Sequence, residues 1–179
     1  NYRPNMSIEK YLSAHQKLLS TIDVRKIQNS IDLIASQIEL GKNIFTCGNG
    51  GSAATASHYI TDWNKMINLA TGKKCKGICL NDNAGLITAY ANDLSFEDIF
   101  IGQLKTMMNP GDLLIAVSGS GNSKNIIKAI EYANELGGKS LAVLGYDGGE
   151  AIKIAQHSIL IPSFDMQLCE DFHLMFGHM

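Results

Sequence analysis

The chain is 179 residues, 45% hydrophobic and 18% charged. That is the make-up of one globular domain with a real core, and it excludes a disordered chain. Fifteen basic residues against seventeen acidic give a formal net charge of −2, without the basic excess of a nucleic-acid surface, and no run reaches the roughly 18 apolar residues of a membrane span.

The opening "NYRPNMSIEK" lacks the basic-then-apolar layout of a secretory signal. Cys47, Cys75, Cys79 and Cys169 fall in no zinc-ribbon or CxxC spacing. Both features fit a cytoplasmic protein with reduced thiols. Ser7 then opens an amphipathic helix carrying Ile8, Tyr11, Leu12, His15, Leu18 and Leu19. Asp23 caps a second, with Val24, Ile27, Ile31, Ile34 and Ile38 on one face and Gly41 closing it. Residues 1–40 therefore read as an N-terminal helical pair belonging to the same domain as residues 41–179.

Short β-type runs follow at 43–47, 76–80, 112–118, 139–145 and 157–161, separated mostly by helix-length segments. Alternating strand and helix predicts an α/β fold, a mainly parallel five-stranded sheet covered on both faces. Lys73, Lys74 and Lys76, the local basic cluster, read as a solvated loop. No stop signal follows Met179, so the sequence leaves its last helix open at the C-terminal side.

Ligands of such sheets bind beyond the C-terminal ends of the strands. Two exits stand out: "CGNGGSAA" at 47–54 and "VSGSGNS" at 117–123. Gly48, Gly50 and Ala53 formally fit a dinucleotide loop, but the acidic residue expected about 20 positions on is missing. Asp82 lies more than thirty positions beyond Gly48. Neither exit carries the Gly-Lys-Ser/Thr of a P-loop. No nucleotide cofactor is therefore expected. Ser118, Ser120 and Ser123 supply three hydroxyls ahead of a helix start, and hydroxyls plus free backbone N–H groups suit a phosphate monoester without a lysine. A serine-rich turn that caps the helix through Asn122 or Ser123 is the plainer reading, compatible with the first.

The segments "CGNGGSAATASHYITDW", "ANDLSFEDIF", "GDLLIAVSGSGNSKNIIKAIEYA", "GYDGGE" and "EDFHLMFGH" occur in this order, and with them nearly the whole chain resembles the phosphoheptose isomerases of the sugar isomerase (SIS) domain superfamily. The resemblance implies a single SIS domain of three-layer, flavodoxin-like α/β/α build, and an aldose–ketose isomerase of sedoheptulose 7-phosphate serving bacterial surface heptose synthesis. It implies a sugar-phosphate partner, no nucleic acid or membrane, and a homotetramer with sites at subunit boundaries.

Isomerisation of a ketose needs a base at C1/C2, an acid/base for the oxygens and stabilisation of an oxyanion. The resemblance places the catalytic carboxylate at Asp62 and its histidine partner at His178, with a zinc set of His58, Asp62, Glu170 and His178. It assigns substrate contacts to Asn49, Gly50, Ser52, Asn81, Asp93, Ser118, Ser120 and Ser123, and Gln167 is a further candidate. His58 and Asp62, four apart, share a helix face. Two positions depart from the family, which usually has glutamate at 62 and glutamine at 170; a retuned site is expected rather than a decayed one. Glu170 and His178 are eight apart, about 12 Å along one helix, so a shared metal points to helices of different subunits. His173 reads as structural, and His15 and His157 have no partner in sequence. Asn92 and Asp93 could equally form a turn before a Ser95 cap, and Leu168, Phe172, Met175, Phe176 and Met179 could face a neighbour or the core. A non-catalytic SIS protein that binds a replication initiator, and an isomerase for another sugar phosphate, are the alternatives.

Overall fold

The computed structural model describes residues 7–179. Five strands form where the β-type runs lie: β1 Asn43–Gly48, β2 Lys76–Cys79, β3 Leu113–Ser118, β4 Lys139–Leu144 and β5 His157–Leu160. All pairings are parallel, in the order β2-β1-β3-β4-β5. Side chains alternate across the pleat, which splits the core in two. Ile44, Leu113, Ile115, Val117, Leu141 and Val143 point to one face. Phe45, Cys47, Leu114, Ala116, Ala142 and Leu144 point to the other.

Helices α1 Ile8–Leu19, α2 Val24–Glu39, α3 Gly51–Asp62 and α9 Met166–His178 contribute to the first face. The second is covered mainly from α6 Ile101–Met107, α7 Lys124–Glu135 and α8 Ala151–Ile154, with partly buried residues of α5 Ala84–Asp93 against it. A short helix α4, Asn68–Thr71, precedes β2. The N-terminal pair starts as read: the Ser7 hydroxyl accepts from the Lys10 N–H, and the Asp23 carboxylate accepts from the Arg25 and Lys26 N–H groups. Leu18, Ile27 and Ile34 join the sheet's core. In α9, Leu168, Phe172 and Phe176 are buried within the same chain, while Met179 is exposed.

Because α3 leaves β1 toward one face and α7 leaves β3 toward the other, a crevice opens between the exits of these adjacent strands. That is the topological switch point at which open α/β sheets bind ligands. Among the described residues, no helix is long and apolar enough to cross a membrane.

Candidate active site

β1 ends at Gly48, whose close approach to the next turn forbids a side chain: a Cβ there would stand 2.4 Å from the Ser52 carbonyl oxygen. Gly50 follows at φ 56° and opens α3. The Asn49 carboxamide exchanges two 2.9 Å hydrogen bonds with that of Asn125, in the first turn of α7. One half-buried amide pair thus ties the glycine loop to the serine loop across the switch point.

The serine loop is braced from behind by residues 145–151. The Gly145 N–H donates to the Ser118 and Gly119 carbonyls, and the Ala151 N–H donates to the Gly121 carbonyl at 2.9 Å. At Gly121, with φ 65°, a Cβ would lie 2.1 Å from the Gly148 carbonyl oxygen. The Ser118 hydroxyl accepts from the Gly121 N–H at 3.0 Å, and Ser123 stands at the N-cap of α7 without a capping side-chain bond. A cleft of about 170 Å³ results, lined by Asn49, Ser52, Ser118, Ser120, Ser123, Tyr146, Met166 and Glu170 among others. Glu170 is the only charged side chain in the lining. Attraction for an anion therefore comes from hydroxyls and from the start of α7.

Glu170 stands at the start of α3: its carboxylate oxygens would lie 2.6 and 2.7 Å from a Cβ on Gly51. Burial, then the neighbouring Asp171 charge, pushes its carboxyl above the usual range.

A second cluster lies along the seam of α3 and α9. Tyr59 stacks on Trp63 with ring centroids 5.0 Å apart, and its hydroxyl donates to the His173 carbonyl. The Trp63 indole N–H donates to the Gly177 carbonyl at 2.8 Å. Directly after Asp62 the helix widens into a π-helical turn, Trp63–Ile67, a rare geometry frequent at functional sites. The seam brings three side chains together. His58 Nε2 lies 3.1 Å from Asp62 Oδ2 and 3.1 Å from His178 Nε2, and His178 Nε2 lies 3.6 Å from Asp62 Oδ2. Zn–N bonds of about 2.0–2.1 Å in a tetrahedron put ligand atoms about 3.3 Å apart, so this triangle fits one metal ion. Three ligands with a fourth position open is the pattern of catalytic zinc.

Glu170 does not join this group within one chain. Contacts advance along α3 and α9 together, Gly51 against Glu170 and, two turns on, Tyr59 against Gly177. Glu170 and His178 therefore stand at opposite ends of the seam, and within one chain the structure brings together a trio of the four expected residues, His58, Asp62 and His178.

Four expected substrate residues lie outside the cleft lining: Gly50, at the N-cap of α3, and Asn81, Asp93 and Gln167. The Asn81 carboxamide is committed to Gly48, donating to its carbonyl at 2.9 Å and accepting from its N–H at 3.1 Å. Asp93 is exposed at the end of α5, where it accepts from the Asn92 amide, and Ser95 caps the following 3-10 turn. Gln167 is exposed in the first turn of α9, its N–H on Asp165. Asn125 and Tyr146 went unread in the sequence. A buried asparagine on the inward face of α7 was the available signal for the first. His15 does gain a partner: its Nε2 lies 2.8 Å from Asp171 Oδ2, tying α1 to α9.

Residues 10–145 match the family model described as the SIS domain. The phosphoheptose isomerase of Clostridium acetobutylicum is 34% identical over 172 residues, which cover 96% of this chain and 87% of the relative. That of Helicobacter pylori strain P12 is 34% identical over 96% of this chain and 90% of its own length. This chain is a phosphoheptose isomerase family member of the SIS domain type. In structure it is similar to a phosphoheptose isomerase from Francisella tularensis, with a TM-score of 0.87 at 25% identity over 95% of this chain and 90% of that one.

Proposed function

We propose that the chain is an intramolecular oxidoreductase that converts sedoheptulose 7-phosphate to D-glycero-D-manno-heptose 7-phosphate through an enediol, for bacterial surface heptose synthesis. The observation that carries this reading is the convergence of His58, Asp62 and His178 within a fold whose curated relatives are named phosphoheptose isomerases. His58 follows Gly51, at the cleft, by seven positions along α3, about 10 Å of helix rise. An extended sugar with phosphate at one end and its carbonyl at the other suits that separation.

In this reading Ser118, Ser120, Ser123 and the start of α7 hold the phosphate. Asn49, Gly50 and Ser52 present polar groups to the sugar chain. Asp62 takes a proton from C1 and returns it to C2, and His178 carries the proton between the two oxygens. The product has the composition of the substrate, with the carbonyl moved from C2 to C1. His58, Asp62 and His178 would hold zinc, which when bound supplies a Lewis acid for the oxyanion. Glu170 stays at the mouth of the phosphate cleft. A homotetramer with sites at subunit boundaries belongs to this reading; the exposure of His58, His178, Asp93 and Gln167, and of Ile8 and Leu12 on α1, supports it. Four free cysteines support a cytoplasmic setting.

NMR of purified protein with sedoheptulose 7-phosphate tests the proposal. Conversion to the aldose is expected, with loss of most turnover after chelation and recovery on adding zinc. Absence of turnover in protein that is folded and zinc-supplied overturns it.

A further inference from the structure

β4 ends at Leu144, and the chain passes through Gly145 into Tyr146, which is the one non-glycine residue with positive φ, 54°, among the described residues. A bulky side chain in that region is strained, and such strain persists where the surroundings over-determine it. Here they do. The Tyr146 N–H donates to the Ser163 carbonyl at 3.0 Å. The Tyr146 ring stacks on Phe164, with centroids 5.4 Å apart and planes at 19°. Gly145, immediately before, is hydrogen-bonded to the Ser118 and Gly119 carbonyls. The ring is thereby fixed beside the serine loop, where it lines the cleft together with Ser120, Ser123 and Glu170. A turn of this kind would be relaxed by glycine or asparagine, yet the chain places an aromatic there and backs it with a second, largely exposed one.

We propose that Tyr146, backed by Phe164, is a specificity-determining residue: its ring is the wall against which the carbon chain next to the phosphate packs. The chemistry fits. The phosphate itself is satisfied by hydroxyls and N–H groups of the serine loop, and the C–H face of an extended polyol offers apolar surface that only a side wall can use. The contact sits at the phosphate end of the ligand, away from His58, Asp62 and His178. It therefore reads the chain between phosphate and carbonyl and takes no part in proton transfer. This inference rests on the sugar-phosphate isomerase reading of the site.

The test compares Tyr146→Gly and Tyr146→Asn, which both tolerate the backbone angle, with Tyr146→Phe, which keeps the ring. Steady-state turnover of sedoheptulose 7-phosphate and competitive inhibition by inorganic phosphate are measured for each. KM is expected to rise about tenfold in the glycine and asparagine variants, equivalent to about 1.4 kcal/mol, with kcat within about twofold of wild type. The phenylalanine variant is expected to keep the wild-type KM, and inhibition by phosphate is expected to stay constant throughout. An unchanged KM in the glycine and asparagine variants overturns the proposal. So does a matching loss of phosphate inhibition, which would mean that the substitution had merely collapsed the serine loop. A folded, zinc-supplied wild type that turns over no sedoheptulose 7-phosphate overturns the function and this inference together; an active wild type with indifferent variants overturns the inference alone.

Discussion

Burial holds the His173 imidazole neutral, lowering its pKa from 6.5 to about 4. Neither ring nitrogen meets a hydrogen-bond partner in good geometry, and the nearby Leu144 backbone offsets the effect only in part. Between those two values the unfolded chain binds a proton that the folded chain refuses. Stability from this residue is therefore complete above pH 6.5 and falls as the pH drops toward 4, over a span worth roughly 3 kcal/mol. Thermal melts across that range should show a steep decline in the wild type and a shallower one in His173→Leu; parallel curves would contradict the assignment. Single residues also mark where sequence reading stops. Ser118, Ser120 and Ser123 could be placed at the cleft from their strand exit, and Asn49 and Ser52 from the family resemblance of the first exit. The commitment of Asn81 to Gly48, and the pairing of Asn49 with Asn125 seventy-six positions on, depend on which strands become neighbours, and no local pattern carries that. Nothing in "GYDGGE" announces that its tyrosine takes a left-handed backbone.

The α3–α9 seam is the element on which the trio depends. Gly177 packs so closely that a Cβ would lie 2.3 Å from Tyr59 Cδ1, and Tyr59 is fully buried between Trp63 and Phe176. An exposed helical glycine changed to alanine gains about 1 kcal/mol, whereas overpacking a filled core costs about 1–3 kcal/mol. Here the clash decides the sign. Gly177→Ala should lower the melting temperature, and it should cut turnover more than substrate affinity because His178 is the next residue. A variant as stable and as active as wild type would show that the seam does not set the trio. The same seam accounts for the distance between Glu170 and the trio within one chain. The sequence spacing already implied about 12 Å between Glu170 and His178; what it could not supply was the helix alongside, which places Gly51 at one end and Tyr59 at the other.

For the whole molecule, strand order does the organising. The central strands β1, β3 and β4 are legible as apolar runs because a doubly covered parallel strand needs no polar face. The half-buried edge strands β2 and β5 are legible only as short β-type runs. Both predicted exits belong to β1 and β3, which are adjacent in the sheet. Adjacency of β1 and β3, with their helices on opposite faces, makes a single crevice from two loops that lie about seventy residues apart. In the proposed function, phosphate grip and proton transfer are divided along α3, one at its start and one at its end. That division is the central claim, and proton exchange tests it most directly. Sedoheptulose 7-phosphate incubated with the protein in D2O should gain deuterium at C1 of recovered ketose and at C2 of the aldose. With Asp62→Asn, exchange should fall by at least about 100-fold while inorganic phosphate still binds. Deuterium uptake that survives Asp62→Asn would place the base elsewhere and contradict the account.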